Sequence, residues 1–130
     1  MLIKPSLSSI WLAEDAVFDE QTGQTTLTSV FNQISLSAEG SEYDSPFSVM
    51  FTVSDVRRRC RCEMRLLDLA DLSLVYRRPV ILDEVSPWEV EDISLRVNRL
   101  PVFQPGAYVW ELSLNEETLG STRMTAVREL

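Results

Sequence analysis

An alternating segment near the end of the chain constrains the fold more than any other feature. After the turn signal Pro105-Gly106, residues 107–115 alternate between two sets of side chains. One face would hold Tyr108, Trp110, Leu112 and Leu114, and the other Val109, Glu111, Ser113 and Asn115. A side-chain period of two over this many residues is typical of a half-buried β-strand. The segment therefore predicts a strand and favours a fold built from sheets.

Further short strands are predicted along the rest of the chain, separated by polar, Gly- or Pro-containing turns. They cover residues 8–18, 25–36, 47–54, 59–66, 72–76, 93–97 and 119–127, with edge segments at 79–82 and 88–90. The apolar parity of the second strand shifts between Leu27 and Val30, which indicates a β-bulge. Many short strands at such spacing are typical of an antiparallel β-sandwich. We expect seven to eight strands in a single domain over residues 1–130.

The segment 59–66 leaves an alternative open. Val56, Cys60, Met64 and Leu67 are also spaced like the apolar face of a helix. We prefer a strand, because residues 68–71 resemble a turn leading into a second apolar run and would complete a hairpin.

Charge and composition exclude several classes of protein. The chain has a formal net charge of −8, so nucleic acid and anionic membranes should repel it. It contains no apolar run long enough for a membrane span or a signal-peptide core. Its two cysteines are too few for a secreted disulfide framework. We therefore expect a cytoplasmic protein that binds neither nucleic acid nor membranes.

Catalytic chemistry is not indicated. The chain has no histidine, which removes the commonest general base and zinc ligand. Cys60 and Cys62 have the wrong spacing for a redox motif, and both would point into the core from one strand. Calcium binding is an alternative that depends on Asp15, Asp19, Asp68, Asp71 and Asp83. We assign no catalytic, cofactor-binding or metal-binding residue and expect a protein that is not an enzyme.

Two segments resemble a family of small bacterial cytoplasmic proteins, a domain of unknown function. They are A-V-F-D-E-Q-T-G-Q-T-T-L-T-S-V-F-N-Q-I at residues 16–34 and F-Q-P-G-A-Y-V-W-E-L at 103–112. The resemblance implies a strand, hairpin and strand at the start, and an exposed final hairpin. Ser29 stands where the family pattern has glycine, and Asn115-Glu116-Glu117 replaces a D-G-like turn. The family has no assigned activity, so the resemblance implies no site residue.

The segment Pro105-Gly106-Ala107-Tyr108 also resembles the tyrosine corner of immunoglobulin-like sandwiches. In that corner a tyrosine hydroxyl binds backbone a few residues upstream. The resemblance implies an all-β, immunoglobulin-like architecture.

The strongest candidate for function is a cluster of arginines. Seven of the twelve basic residues lie within residues 57–78. Arginine forms bidentate pairs with carboxylates, so the cluster could contact an acidic partner; alternatively, it forms a solvated sheet face paired with Glu63 and Asp68. The predicted protein-contact residues are Arg57, Arg58, Arg59, Arg61, Arg77 and Arg78.

The first third of the chain has the opposite charge. It has one lysine, no arginine and seven carboxylates: Glu14, Asp15, Asp19, Glu20, Glu39, Glu42 and Asp44. We therefore expect a protein partner, either a second copy of the chain in a homo-oligomer or the other subunits of a small bacterial complex. The alternative function is binding of a small ligand in the aromatic-rich interior or at the loop ends.

Overall fold

The computed structural model describes residues 4–38 and 42–129, and this part of the chain contains nine β-strands and no helix. The strands are β1 (Ser6–Asp19), β2 (Gln24–Phe31), β3 (Gln33–Leu36), β4 (Phe47–Ser54), β5 (Cys60–Asp68), β6 (Leu74–Leu82), β7 (Glu91–Val97), β8 (Gly106–Leu114) and β9 (Glu117–Arg128). The all-β prediction is confirmed, with nine strands in the described residues where seven to eight were expected.

The strands form two sheets. One has the order β2-β1-β4-β7, and the other has the order β3-β9-β8-β5-β6. All pairs are antiparallel except β3 with β9, which run parallel. The parallel pair at this edge is a local departure from the predicted antiparallel sandwich. Strands β9, β8, β5 and β6 follow the order G-F-C-C′ of immunoglobulin variable-type domains, so the architecture is immunoglobulin-like.

The core lies between the sheets and follows the predicted alternation. Strand β4 contributes Phe47, Val49, Phe51 and Val53, and β8 contributes Tyr108, Trp110 and Leu112. Strand β5 alternates as a strand and directs Cys62, Met64 and Leu66 inward, so the helical alternative was wrong. Alternate side chains of both sheets thus fill one interior.

Two local predictions were wrong, at residues 25–36 and 88–90, and the edge position predicted for 79–82 is confirmed. Residues 25–36 form two strands, because the chain crosses at Asn32 from the first sheet to the second. The segment 79–82 continues β6, where Pro79 is tolerated because β6 is an edge strand. Residues 88–90 form no strand; the Glu89 amide donates to the Ser86 carbonyl in a turn, and Trp88 is 86% exposed.

The tyrosine corner is confirmed. The Tyr108 hydroxyl donates a hydrogen bond of 2.6 Å to the carbonyl of Gln104. Burial, with a smaller effect from Asp68, raises the pKa of Tyr108, so the hydroxyl remains a donor at neutral pH. This bond ties the loop before β8 to the start of that strand.

Replacing Tyr108 with phenylalanine should lower the free energy of unfolding by about 1 kcal/mol, because one hydrogen bond is lost and the ring remains. Urea unfolding followed by circular dichroism measures the change. Tyr76→Phe is the control, since the Tyr76 hydroxyl makes no hydrogen bond to residues that the structure describes. Equal effects of the two variants would contradict this role for Tyr108.

Both departures from the family pattern fall at residues with left-handed backbone. Ser29 has φ 53°, Asn115 has φ 50° and Glu116 has φ 66°. In the pairing of β1 with β2, Glu14 and Ser29 form no bridge, but the register is the same on either side of them. Neither strand therefore contains the extra residue that a β-bulge would require. The change in apolar alternation at Val30 therefore comes from the left-handed backbone of Ser29.

Replacing Ser29 with glycine should stabilise the protein by about 0.5 kcal/mol. A residue other than glycine destabilises the folded state by about 1–2 kcal/mol when its backbone is left-handed. Glycine avoids this cost, but its greater freedom in the unfolded chain offsets about 0.5–1 kcal/mol of the gain. Thr28→Gly, in the regular strand conformation next to it, should instead destabilise. The melting temperature of each variant is compared with that of the wild-type protein. Shifts of the two variants in the same direction would contradict the expectation.

Candidate protein-contact site

The structure divides the six predicted contact arginines among three places. Arg57, Arg58 and Arg59 lie in the loop between β4 and β5, Arg61 lies on β5, and Arg77 and Arg78 lie on β6. Only part of this set shares a surface.

Two of the three loop arginines already have acidic partners. The Arg57 guanidinium lies 3.6 Å from Asp55, and that of Arg59 lies 3.6 Å from Asp83. Arg58 is exposed and makes no ion pair with the residues described. These groups are exposed, so the pairs are weak, but they neutralise much of the charge of the loop.

The outer face of the five-stranded sheet brings together a different set. Arg61 and Arg65 alternate with buried residues on β5, and Arg77 lies directly opposite Arg65 on β6. The prediction that several guanidinium groups share one face is confirmed. Together with Glu63, Ser113 and Glu116 they line a depression of about 340 Å³, which we call the arginine depression.

A half-buried ion pair forms one side of the arginine depression. The Arg65 Nε lies 3.1 Å from Glu111 Oε1 on the neighbouring strand β8 and 3.8 Å from Glu63 Oε1. The Thr118 hydroxyl donates to the other oxygen of Glu111 at 3.1 Å. The Arg65 Nε is buried without a hydrogen bond of good geometry, so charge attraction holds this pair.

The other two cations of the arginine depression, Arg61 and Arg77, share it with the carboxylates of Glu63 and Glu116 but form an ion pair with neither. Arg61 and Arg77 are exposed, and neither makes an ion pair with the part of the chain that the structure describes. Like charges directly opposite on neighbouring strands are unfavourable, and Arg77 faces Arg65 in this way. A carboxylate from outside the chain would relieve this repulsion.

Arg78 has a different role. It follows Arg77 on the same strand and so points to the other side of the sheet. Its Nη1 donates a hydrogen bond of 2.8 Å to the carbonyl of Arg96 on β7, in the opposite sheet. Arg78 therefore joins the two sheets at their open edge.

Sequence reasoning did not include Arg65 or Glu111 among the contact residues. The sequence feature that could have indicated Glu111 is its position as a single carboxylate within the mostly apolar strand β8. Its pairing with Arg65 depends on the β5–β8 register, which places the two residues opposite each other.

The acidic residues of the first third lie mostly away from the arginine depression. Asp15 pairs with Arg96 at 3.8 Å, and Glu42 pairs with Arg99 at 3.2 Å. Asp19 and Glu20 are exposed at the turn between β1 and β2. Glu39 lies outside the described residues.

The aspartates considered for calcium serve the turns instead. Oxygens of Asp19, Asp68 and Asp71 accept hydrogen bonds from the backbone amides of Gln21, Ala70 and Ser73. The bonds from Ser73 also lower the pKa of Asp71. No group of three or more potential ligands for a metal ion occurs among the described residues.

The cysteines are part of the interior, as predicted. Cys62 is buried, and Cys60 packs partly against the core. Burial, with a smaller contribution from Cys60, raises the pKa of the Cys62 thiol to about 12. This thiol is therefore protonated, and not a nucleophile, near neutral pH.

The aromatic side chains pack against one another. The Trp110 ring lies 6.0 Å from that of Phe47 and 5.9 Å from that of Tyr76, and Phe31 lies 5.5 Å from Phe47. A cleft of about 750 Å³ opens beside this cluster and is lined by Glu14, Asp15, Tyr43, Arg96 and Glu129, among others.

No helix in the described parts of the chain is long and apolar enough to cross a membrane.

Comparison with known proteins adds little to this description. No family model and no curated protein matches the chain. Among solved structures, it is similar to an immunoglobulin-like protein from Pseudomonas aeruginosa, with a TM-score of 0.49 and 8% sequence identity. The similarity covers 95% of this chain and 97% of that one.

Proposed function

We propose that this protein is a non-catalytic β-sandwich that acts through contact with another protein, in a homo-oligomer or a small bacterial complex. The observation that supports this function best is that two guanidinium groups of the arginine depression, Arg61 and Arg77, form no ion pair with the described residues. A protein with a net charge of −8 that keeps unpaired cations on one face offers a local site for carboxylates.

The contact surface that we propose is centred on Arg61 and Arg77, with Leu74 and Ile81 exposed beside them. Interfaces combine apolar contact with polar groups at the rim, and arginine is enriched in them. The loop residues Arg57, Arg58 and Arg59 would lie at the margin of this surface. Arg78 would support it indirectly by holding β6 against β7.

We also propose that the chain is cytoplasmic and belongs to the bacterial family that its hairpin motifs resemble, and that it binds neither nucleic acid nor membranes. The net negative charge supports the last of these points, because phosphate-rich surfaces repel such a protein.

Affinity capture from bacterial extract at low salt tests the contact surface. We expect the wild-type protein to retain a partner, either another protein or untagged copies of itself. The variant R61E/R77E should lose it. The control R99E/R123E has the same net charge and replaces exposed arginines outside the depression. Equal capture by all three proteins would contradict the proposed surface, and matched melting temperatures would establish that the variants are folded.

A second candidate function is binding of a small organic cation in the 750 Å³ cleft. The Tyr43 ring and the carboxylates of Glu14 and Glu129 line this cleft, and such groups attract cations. Arg96 also lines it, but its charge is paired with Asp15 at 3.8 Å. Benzyltrimethylammonium should then shift NMR resonances of the wild-type protein but not of Tyr43→Ala, and R61E/R77E should bind it normally. Unshifted spectra at millimolar probe would contradict this function.

A further inference from the structure

The hairpin formed by β1 and β2 extends beyond the rest of its sheet. The pairing of β1 with β4 ends at Ala13, opposite Ser48, whereas residues 15–19 of β1 pair only with β2. Strand β2 is itself the last strand of the sheet. Residues 15–28 therefore form a two-stranded ribbon, which we call the hairpin arm.

The hairpin arm exposes apolar side chains on both of its faces. Val17 is 56% exposed and Phe18 is 60% exposed, and adjacent residues on a strand point to opposite sides. An isolated two-stranded ribbon is marginally stable in water, and exposed large apolar side chains at its end favour contact with another surface.

The charge of the hairpin arm indicates what this surface would be. The arm and its turn contain Asp15, Asp19 and Glu20, and the chain has no lysine or arginine between residues 5 and 56. Two arms in contact would place like charges together, so a symmetric arm-to-arm dimer is unfavourable. A surface with both cations and apolar groups would complement the arm.

The arginine depression has this combination of groups. Arg61 and Arg77 form no ion pair with the described residues, and Leu74 and Ile81 are 47% and 44% exposed beside them. Within one molecule, the arm belongs to the four-stranded sheet and the depression lies on the outer face of the other sheet. The two surfaces can therefore meet only between different copies of the chain.

We propose that the hairpin arm of one copy docks on the arginine depression of the next. Asp19 and Glu20 would pair with Arg61 and Arg77, while Phe18 or Val17 would contact Leu74 and Ile81. This inference rests on the contact surface proposed above and adds the identity of the partner. Such a contact joins two different surfaces, so repeated copies form a ring or an open chain.

Mixing two variants tests the proposal directly. V17T/F18T removes the apolar groups of the arm and keeps residues that favour strands. R61E/R77E reverses the charge of the two unpaired arginines in the depression. In sedimentation velocity at low salt, the wild-type protein should associate with increasing concentration, and each variant alone should associate at least tenfold more weakly. An equimolar mixture should form a one-to-one heterodimer and no larger species, because it contains one intact arm and one intact depression.

Other outcomes separate the two proposals. A mixture that stays monomeric, or a wild-type protein that does not self-associate, would overturn docking of the arm and leave the contact surface to be judged by the capture experiment. Self-association that survives in V17T/F18T and disappears in R61E/R77E would also overturn docking of the arm while supporting the surface. Self-association that R61E/R77E does not weaken would overturn docking of the arm and again leave the contact surface to the capture experiment.

Discussion

Replacing Trp110 with alanine should lower the free energy of unfolding by about 3–5 kcal/mol. The indole is fully buried at the centre of the sandwich. It makes edge-on ring contacts with Phe47 from the opposite sheet and with Tyr76 from the edge strand, and its Nε1 lies 3.4 Å from the sulfur of Met124. Small domains are stable by only about 5–15 kcal/mol, so this variant should unfold at far lower denaturant or remain unfolded.

The position of Trp110 explains why so much depends on one side chain. It lies two residues after the corner tyrosine, where antibody domains have the second cysteine of the disulfide between sheets. Here the contact with Phe47 on β4 joins the two sheets instead. Trp88→Ala is the matched control, because Trp88 is 86% exposed and should change stability by less than about 0.5 kcal/mol. Urea unfolding followed by circular dichroism measures both variants. Similar midpoints would contradict the role of Trp110 in joining the sheets.

Alternation of side chains was enough to predict the strands that build the core. Strands β4, β5 and β8 have one fully buried face, so their sequence pattern reports their structure directly. The crossing of the chain at Asn32 was not predictable in this way. Both β2 and β3 are edge strands, and the residues around the crossing have the same composition as a continuous strand.

The candidate site was predictable only in part. Spacing by two placed Arg61 and Arg65 on one face, and the adjacency of Arg77 and Arg78 means that only one of them shares it. Which arginines remain uncompensated depends on contacts distant in sequence. Asp83 approaches Arg59 and Glu111 approaches Arg65 only after the sheet has formed.

Replacing Glu111 with glutamine should lower the free energy of unfolding by about 2–3 kcal/mol. The change leaves Arg65 without its nearest carboxylate. The Arg65 side chain is 22% exposed and that of Glu111 is 12% exposed, so water compensates for little of the lost charge. Breaking fully buried pairs costs about 3–5 kcal/mol, and the residual exposure and the more distant Glu63 reduce the effect here.

The double variant Arg65→Met with Glu111→Leu should recover most of this loss, because an apolar pair leaves no unpaired charge in the sheet. Glu42→Gln is the control, since the Arg99–Glu42 pair is largely exposed and contributes about 0–1 kcal/mol. Equal losses of stability in Glu111→Gln and Glu42→Gln in urea unfolding would contradict a special role for the half-buried pair.

Glu111→Gln should affect association and stability in opposite directions. Without the Glu111 carboxylate, Arg65 joins Arg61 and Arg77 as a cation available to an acidic partner. The variant should therefore self-associate more strongly at low salt than the wild-type protein, although its fold is less stable. The association measured by sedimentation should also weaken more steeply with added salt, because one further charge takes part in the contact. A variant that is destabilised and associates less would show that Glu111 orders the contact surface, and that the charge of Arg65 does not contribute to binding.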